Sequence, residues 1–181
     1  MTTQDVFEFD NDIPEKAERG GFILPPEGIY IVRLKDCPLA HITNQQTGDV
    51  TKVWRPKMEI EEIVEVQVPA GETAPNVAGL LLNDTLFFTP KAQVRLFKFM
   101  RAFGSYLPPA ELDAAMKNDK GKWAIYPDGS QEILIGHTAQ VTIEHKEGKP
   151  RTDGKPPAVF ANPTFDGYAP IGGWPEKGEK A

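Results

Sequence analysis

Apolar positions along this chain alternate with polar ones far more often than they recur at helical spacing. After the turn residues Pro25, Pro26 and Gly28, the positions Ile29, Ile31, Val32 and Leu34 are mixed with Tyr30, Arg33 and Lys35, which predicts a strand over 28–37. Residues 38–51, polar and centred on Gly48, predict a loop. The run VWRPKMEIEEIVEVQV, residues 53–68, places Met58, Ile60, Val64, Val66 and Val68 on one parity. Glu62 interrupts that face and Ile63 falls on the other, which predicts a bulge or bend near Glu61–Glu62. LLLNDTLFFT, residues 80–89, predicts a third strand, with Phe87 and Phe88 on opposite faces.

The period then changes. Leu96, Phe99, Met100 and Phe103 share one helical face, Pro90 stands just inside the start after Thr89 as N-cap, and Gly104 stops the helix. Lys91, Arg95, Lys98 and Arg101 fall elsewhere on this helix, a placement expected of a solvated face. A second short helix is predicted from Pro109 to Lys117, and a short strand over 122–126. HTAQVTIEHK alternates strictly, with Ala139, Val141 and Ile143 on one side, as a half-buried strand does. PAVFANPTFDGY is a last strand, and Pro163 assigns it to a sheet edge because proline cannot donate to a ladder.

Together these elements make a mainly β chain of five strands with a helix between the third and fourth, the order of a five-stranded OB-fold-like Greek-key barrel. The predicted organisation is an acidic, mobile N-terminal arm over 1–24, the OB-fold domain over 25–171 and a flexible, glycine- and proline-rich tail over 172–181. In such a barrel, nucleic acid lies over the second and third strands, flanked by the loop between the first two strands and the loop between the last two. Here those loops are 38–51 and 145–156.

Charge sharpens this picture. The 181 residues carry a formal net charge of −6, but residues 1–20 hold six acids against Lys16 and Arg19, and residues 59–72 hold five glutamates and no base. The rest of the chain is therefore net basic, and an acidic total does not exclude a basic face. The stretch HKEGKPRTDGKP, residues 145–156, holds Lys146, Lys149, Arg151 and Lys155 against Glu147 and Asp153. It reads either as a phosphate-tracking arm or as a solvated hairpin loop. In KVWRPK, Trp54 lies between Lys52, Arg55 and Lys57. Trp54 shares its parity with Met58 and Ile60, so a core role and a base-stacking role both fit.

Several classes of chemistry lack a signal. The single cysteine, Cys37, forms no internal disulfide and favours a reducing compartment. The acidic N-terminus is unlike a signal peptide, and no apolar run reaches membrane-spanning length. A cytoplasmic protein is expected, in the host cytoplasm if phage-encoded. Cys37, His41, His137 and His145 lack the paired spacing of a zinc site, and no phosphate-loop, nucleophile-elbow or dinucleotide motif is present. The expectation is a protein with no cofactor, no metal and no catalytic residues.

LPPEGIYIVRL, GDVTKVWRPKMEIEEI, the helix ending FMRAFG, and GHTAQVTIEHKEGKP leading to a closing strand together resemble the bacteriophage OB-fold single-stranded DNA-binding proteins, over roughly residues 24–171. The resemblance implies sequence-nonspecific protection of single-stranded DNA in phage replication or recombination, with replication or recombination proteins as further partners. Tyr30, Arg33, Lys52, Trp54, Arg55, Lys57, Phe88, Lys146, Lys149, Arg151, Lys155 and Phe160 are the nucleic-acid-binding candidates: cations for phosphates, aromatic rings for stacked bases. The competing reading is a protein–protein adaptor or inhibitor on the same barrel, working through its acidic surfaces.

Overall fold

The computed structural model describes residues 23–176. The expectations for most of the 1–24 arm and for residues 177–181 lie outside the described residues. Two antiparallel sheets share one core. The larger is a curled, five-stranded half-barrel built from β1 (Gly28–Asp36), β4 (Lys57–Val66), β5 (Leu81–Asn83), β7 (Thr138–Glu147) and β8 (Val159–Ala169), in the order β5-β4-β1-β7-β8. The smaller holds β2 (Leu39–Thr43), β3 (Val50–Trp54) and β6 (Leu86–Phe87), with β3 central. Two helices, α1 (Gln93–Phe103) and α2 (Pro109–Ala115), fall between β6 and β7.

Alternation decides which side of the large sheet is buried. Tyr30, Val32 and Leu34 of β1 face inward with Met58 and Ile60 of β4 and with Ala139, Val141 and Ile143 of β7. The predicted helix face closes this core. Leu96, Phe99, Met100 and Phe103 are all buried, and Phe99 meets Tyr168 of β8 edge-to-face at 5.1 Å between ring centroids. Such aromatic pairs add roughly 0.5–1.5 kcal/mol beyond the area they bury. The bulge expected near Glu61 is present. Ile31 pairs with Glu62 and Val32 with Ile60, so Glu61 is an extra residue, and a second register shift leaves Val64 unpaired between Ile63 and Glu65. Pro163 sits, as expected, on an edge strand.

Six expectations are corrected. Residues 38–51 are mostly hairpin rather than loop. Leu39 pairs with Trp54 and Thr43 with Val50, and the turn closes as the Asn44 carboxamide oxygen accepts the Gln46 N–H at 2.8 Å. Side-chain capping of this kind lets polar residues form a tight turn. The single strand predicted over 53–68 breaks at Arg55–Pro56 into β3 and β4 on different sheets, because Pro56 has no N–H for a ladder. The strand predicted over 80–89 breaks at Asp84–Thr85 into β5 and β6, where the Asp84 carboxylate turns to meet Arg95 of α1. The strand predicted over 122–126 is a single bridge, Lys117 with Trp123. At the helix, Thr89 makes no side-chain cap bond, and a 3-10 turn over Pro90–Ala92 leads into α1. The start of the predicted tail is tied back, with the Trp174 indole N–H donating to the Tyr168 carbonyl at 3.1 Å.

Candidate nucleic-acid interface

The curl of the large sheet brings its two edge strands, β5 and β8, into contact without a hydrogen-bonded ladder between them. A side-chain clasp takes the ladder's place. Arg95 reaches from α1 into this seam and donates to the Asp84 carboxylate at 2.7 Å and to the Pro163 carbonyl at 3.3 Å. Asp84 also accepts the Tyr168 hydroxyl at 2.6 Å. Asp84 and Arg95 are only 10% and 13% exposed, so the pair is largely removed from water. Burial pushes the Asp84 carboxyl above its usual value, while Arg95, Tyr168 and the Thr85 N–H pull it back. Burial likewise raises the Tyr168 hydroxyl well above 10, with the Asp84 charge adding to it. This clasp is why the chain turns at Asp84–Thr85.

Outside the clasp the seam opens as a groove of about 340 Å³, lined by Asn83, Thr85, Arg95, Lys146, Asn162 and Phe165, among others. The strand register explains how its banks form. On one bank Asn83 pairs with Lys57, which places Lys57 beside the groove. On the other, Lys146 pairs with Phe160, and Phe160 and Phe165 are both about half exposed. Gly148 lies directly under the Phe160 ring, where an added Cβ would come within 3.0 Å of it. The chain then leaves the sheet as an exposed loop carrying Lys149, Arg151 and Lys155. Within the loop Arg151 is paired with Asp153 at 2.6 Å, and Asp153 is held below its usual value first by that contact. The groove therefore combines Lys146, whose ammonium also pairs with Glu144 at 2.9 Å, and the edge of Arg95 with the exposed Phe165 ring; Lys57 and Phe160 flank it as ladder partners of Asn83 and Lys146, and the basic loop rises from one bank.

Two candidates from the sequence are corrected. Tyr30 is fully buried, its hydroxyl donating to the Pro26 carbonyl at 2.6 Å, and burial raises it to about 12. Trp54 is also fully buried, donating to the Pro127 carbonyl at 2.7 Å and packing edge-to-face on Phe88 at 4.9 Å. Neither ring faces a groove, because both lie on the parity that points into the core. Phe88 is half-buried against the same core and borders a different hollow beside α1. Its neighbour Phe87 is the exposed ring of the two. Arg33 forms a two-bonded ion pair with Glu61 and donates to the Gly136 carbonyl, so its charge is already matched. Lys52 and Arg55 are exposed, and Lys57 has a loose partner in Asp36 at 3.7 Å.

Sequence reasoning misses Arg95, Asn83, Asn162 and Phe165. The helix pattern groups Arg95 with a solvated stripe, yet Lys98 and Arg101 of that stripe are tied to Asp166 and Asp113. The signal for Arg95 is its spacing four residues before Phe99, which sets it at the margin of the buried face. Among the described residues no group of three His, Cys, Asp or Glu side chains converges as metal ligands would, and no helix is long and apolar enough to cross a membrane. Comparison with protein-family models, curated proteins and solved structures gives no match, so the functional reading rests on this geometry.

Proposed function

We propose that this protein binds single-stranded DNA without sequence preference, along the β5–β8 seam. The observation that carries the proposal is a groove lined by Arg95, Lys146 and the exposed Phe165, with Lys57 and Phe160 as ladder partners of its lining residues Asn83 and Lys146 and the 149–155 bases on the loop that follows β7, from segments up to about a hundred residues apart in the chain. The strand order β5-β4-β1-β7-β8, with α1 between β5 and β7, is compatible with an OB-type barrel. In that frame the β2–β3 hairpin replaces the first loop and residues 148–158 form the last one. Bases stack on Phe160 and Phe165, at roughly 1–3 kcal/mol each, while the cations track phosphates. The exposed Glu61, Glu62 and Glu65 occupy the other end of β4 from Lys57, so the DNA path follows the seam rather than the length of β4. The role this reading supports is protection of exposed single strands during replication or recombination.

The test is a titration of oligo-dT at several salt concentrations, with duplex DNA as control. If Lys146, Lys149, Arg151 and Lys155 each neutralise one phosphate, log affinity against log salt should fall with a slope of about −2.8, at roughly −0.7 per contact on single strands. Lys149→Glu with Arg151→Glu should flatten that slope by about 1.4. Salt-independent affinity, or no preference for single over double strands, would overturn the proposal. An adaptor working through acidic faces would give no shift with either DNA.

A further inference from the structure

A second surface, independent of the seam, lies along α1. Phe88, Val94, Leu96, Phe97, Trp123 and Ile125 line an apolar groove of about 600 Å³. Val94 is 58% exposed and Trp123 49%, beside Phe88, Phe97 and Ile125, which pack against the core. The Trp123 ring meets Phe97 edge-to-face at 5.2 Å. It also lies under two cations, with Lys117 Nζ 4.5 Å from its centre and the Arg101 guanidinium, itself paired with Asp113, at 5.5 Å. Lys91, at the Pro90 end of the groove, is exposed and has no ion-pair partner among the described residues. Apolar floor and cationic rim together fit a ligand bearing aromatic rings flanked by carboxylates, and a half-exposed tryptophan is a common anchor for peptide recognition.

The chain supplies such a ligand. Residues 5–12 read DVFEFDND, with Phe7 and Phe9 two apart among Asp5, Glu8, Asp10 and Asp12. Reach is sufficient. The described chain begins at Ile23, close to Pro25, whose carbonyl lies 2.8 Å from the His145 imidazole on β7. The fourteen residues from Phe9 to Ile23 span up to about 46 Å when extended. A domain of this size has a radius of gyration of about 15 Å, and α1 packs across β7 and β8.

We infer that residues 5–12 dock intramolecularly on the α1–Trp123 groove, with Phe7 and Phe9 on its apolar floor and the acids facing Lys91 and Lys117. The anchoring length is short and the rim contacts are ionic, so docking weakens with salt. A partner protein offering the same acidic, aromatic chemistry would compete for the groove.

The experiment uses the full chain. Its three tryptophans, Trp54, Trp123 and Trp174, give three indole N–H resonances, assigned with Trp123→Phe. Phe7→Ser with Phe9→Ser is expected to shift the Trp123 resonance and expose that ring to acrylamide quenching, while the core Trp54 resonance stays fixed. Phe7→Leu with Phe9→Leu should retain the original position, and Lys91→Glu should give part of the shift produced by the serine pair. An unmoved Trp123 resonance in the serine variant would overturn the inference. So would a shift that scales with protein concentration and accompanies a dimer in sedimentation, because the occupant would then be a second copy.

Discussion

Truncating Asp84 tests whether a buried side-chain clasp, rather than a hydrogen-bonded ladder, closes the β5–β8 seam. Asp84→Ala removes the acceptor of both Arg95 at 2.7 Å and Tyr168 at 2.6 Å. It leaves Arg95 with backbone carbonyls at 3.3–3.5 Å and with its Nε, buried and already without a partner. At 2.7 Å and an effective dielectric near 20, the pair attracts by roughly 6 kcal/mol, most of it offset by desolvation of both ions. Breaking such a pair from one side costs about 3–5 kcal/mol, because a buried charge is left unmatched. For a domain of this length that lowers Tm by about 6–20 °C. Arg95→Met removes the other ion. The double variant Asp84→Ala with Arg95→Met should lose less than the two single losses added, since no orphan ion remains. Urea unfolding of the four proteins measures this. A loss below about 1 kcal/mol for Asp84→Ala, or strict additivity in the double variant, would refute the clasp. The pH dependence is a second check. The folded-state pKa of Asp84 is raised, so its contribution is full below about 4, the unfolded value, and is lost as pH rises through the folded value. Relative to Asp84→Asn, the native protein should therefore lose stability across that window.

Four further outcomes follow from particular side chains. Cys37 is buried, and burial first and the Asp36 charge second push its thiol up to about 12. Its contribution is complete below about 9 and declines as pH rises toward 12, so Cys37→Ala should reduce the loss of stability between about pH 9 and 10 by about 1 kcal/mol, read from urea curves. The same thiol should resist an aromatic disulfide reagent at neutral pH until urea unfolds the chain, whereas rapid native labelling would show an open core. Gly28→Ala should destabilise by more than about 1 kcal/mol, because its Cβ would stand 2.1 Å from the Glu65 carbonyl oxygen, and an unchanged Tm would contradict the tight β1–β4 approach. Tyr30→Phe should cost about 1 kcal/mol through the lost bond to Pro26 and leave DNA affinity unchanged, since the ring is core.

The elements that depend on local pattern are legible in the chain itself. β1 and β7 have clean alternation, and the buried face of α1 repeats at helical spacing, so their core residues can be named from spacing alone. The β4 bulge is legible too, because a glutamate on an apolar parity would be buried unpaired unless the register slips to turn it outward. The base-rich 145–156 stretch stands out through composition, and it does leave from the end of β7. The breaks at Pro56 and Asp84 are not legible as sheet changes. Alternation runs through both points, and only the curl of the sheet sends the two halves to different partners. Nor does pattern assign Trp54. Its parity fits both a core and a stacking role, and what buries it is the distant Phe99 and the Pro127 carbonyl. The sequence determined β1, β7, the buried helix face and the location of the basic stretch, because these follow from spacing and composition within a few residues. The tertiary structure alone decided the seam. Asn83, Arg95, Lys146 and Phe165 become neighbours only when two sheet edges meet, and no short-range pattern encodes that meeting.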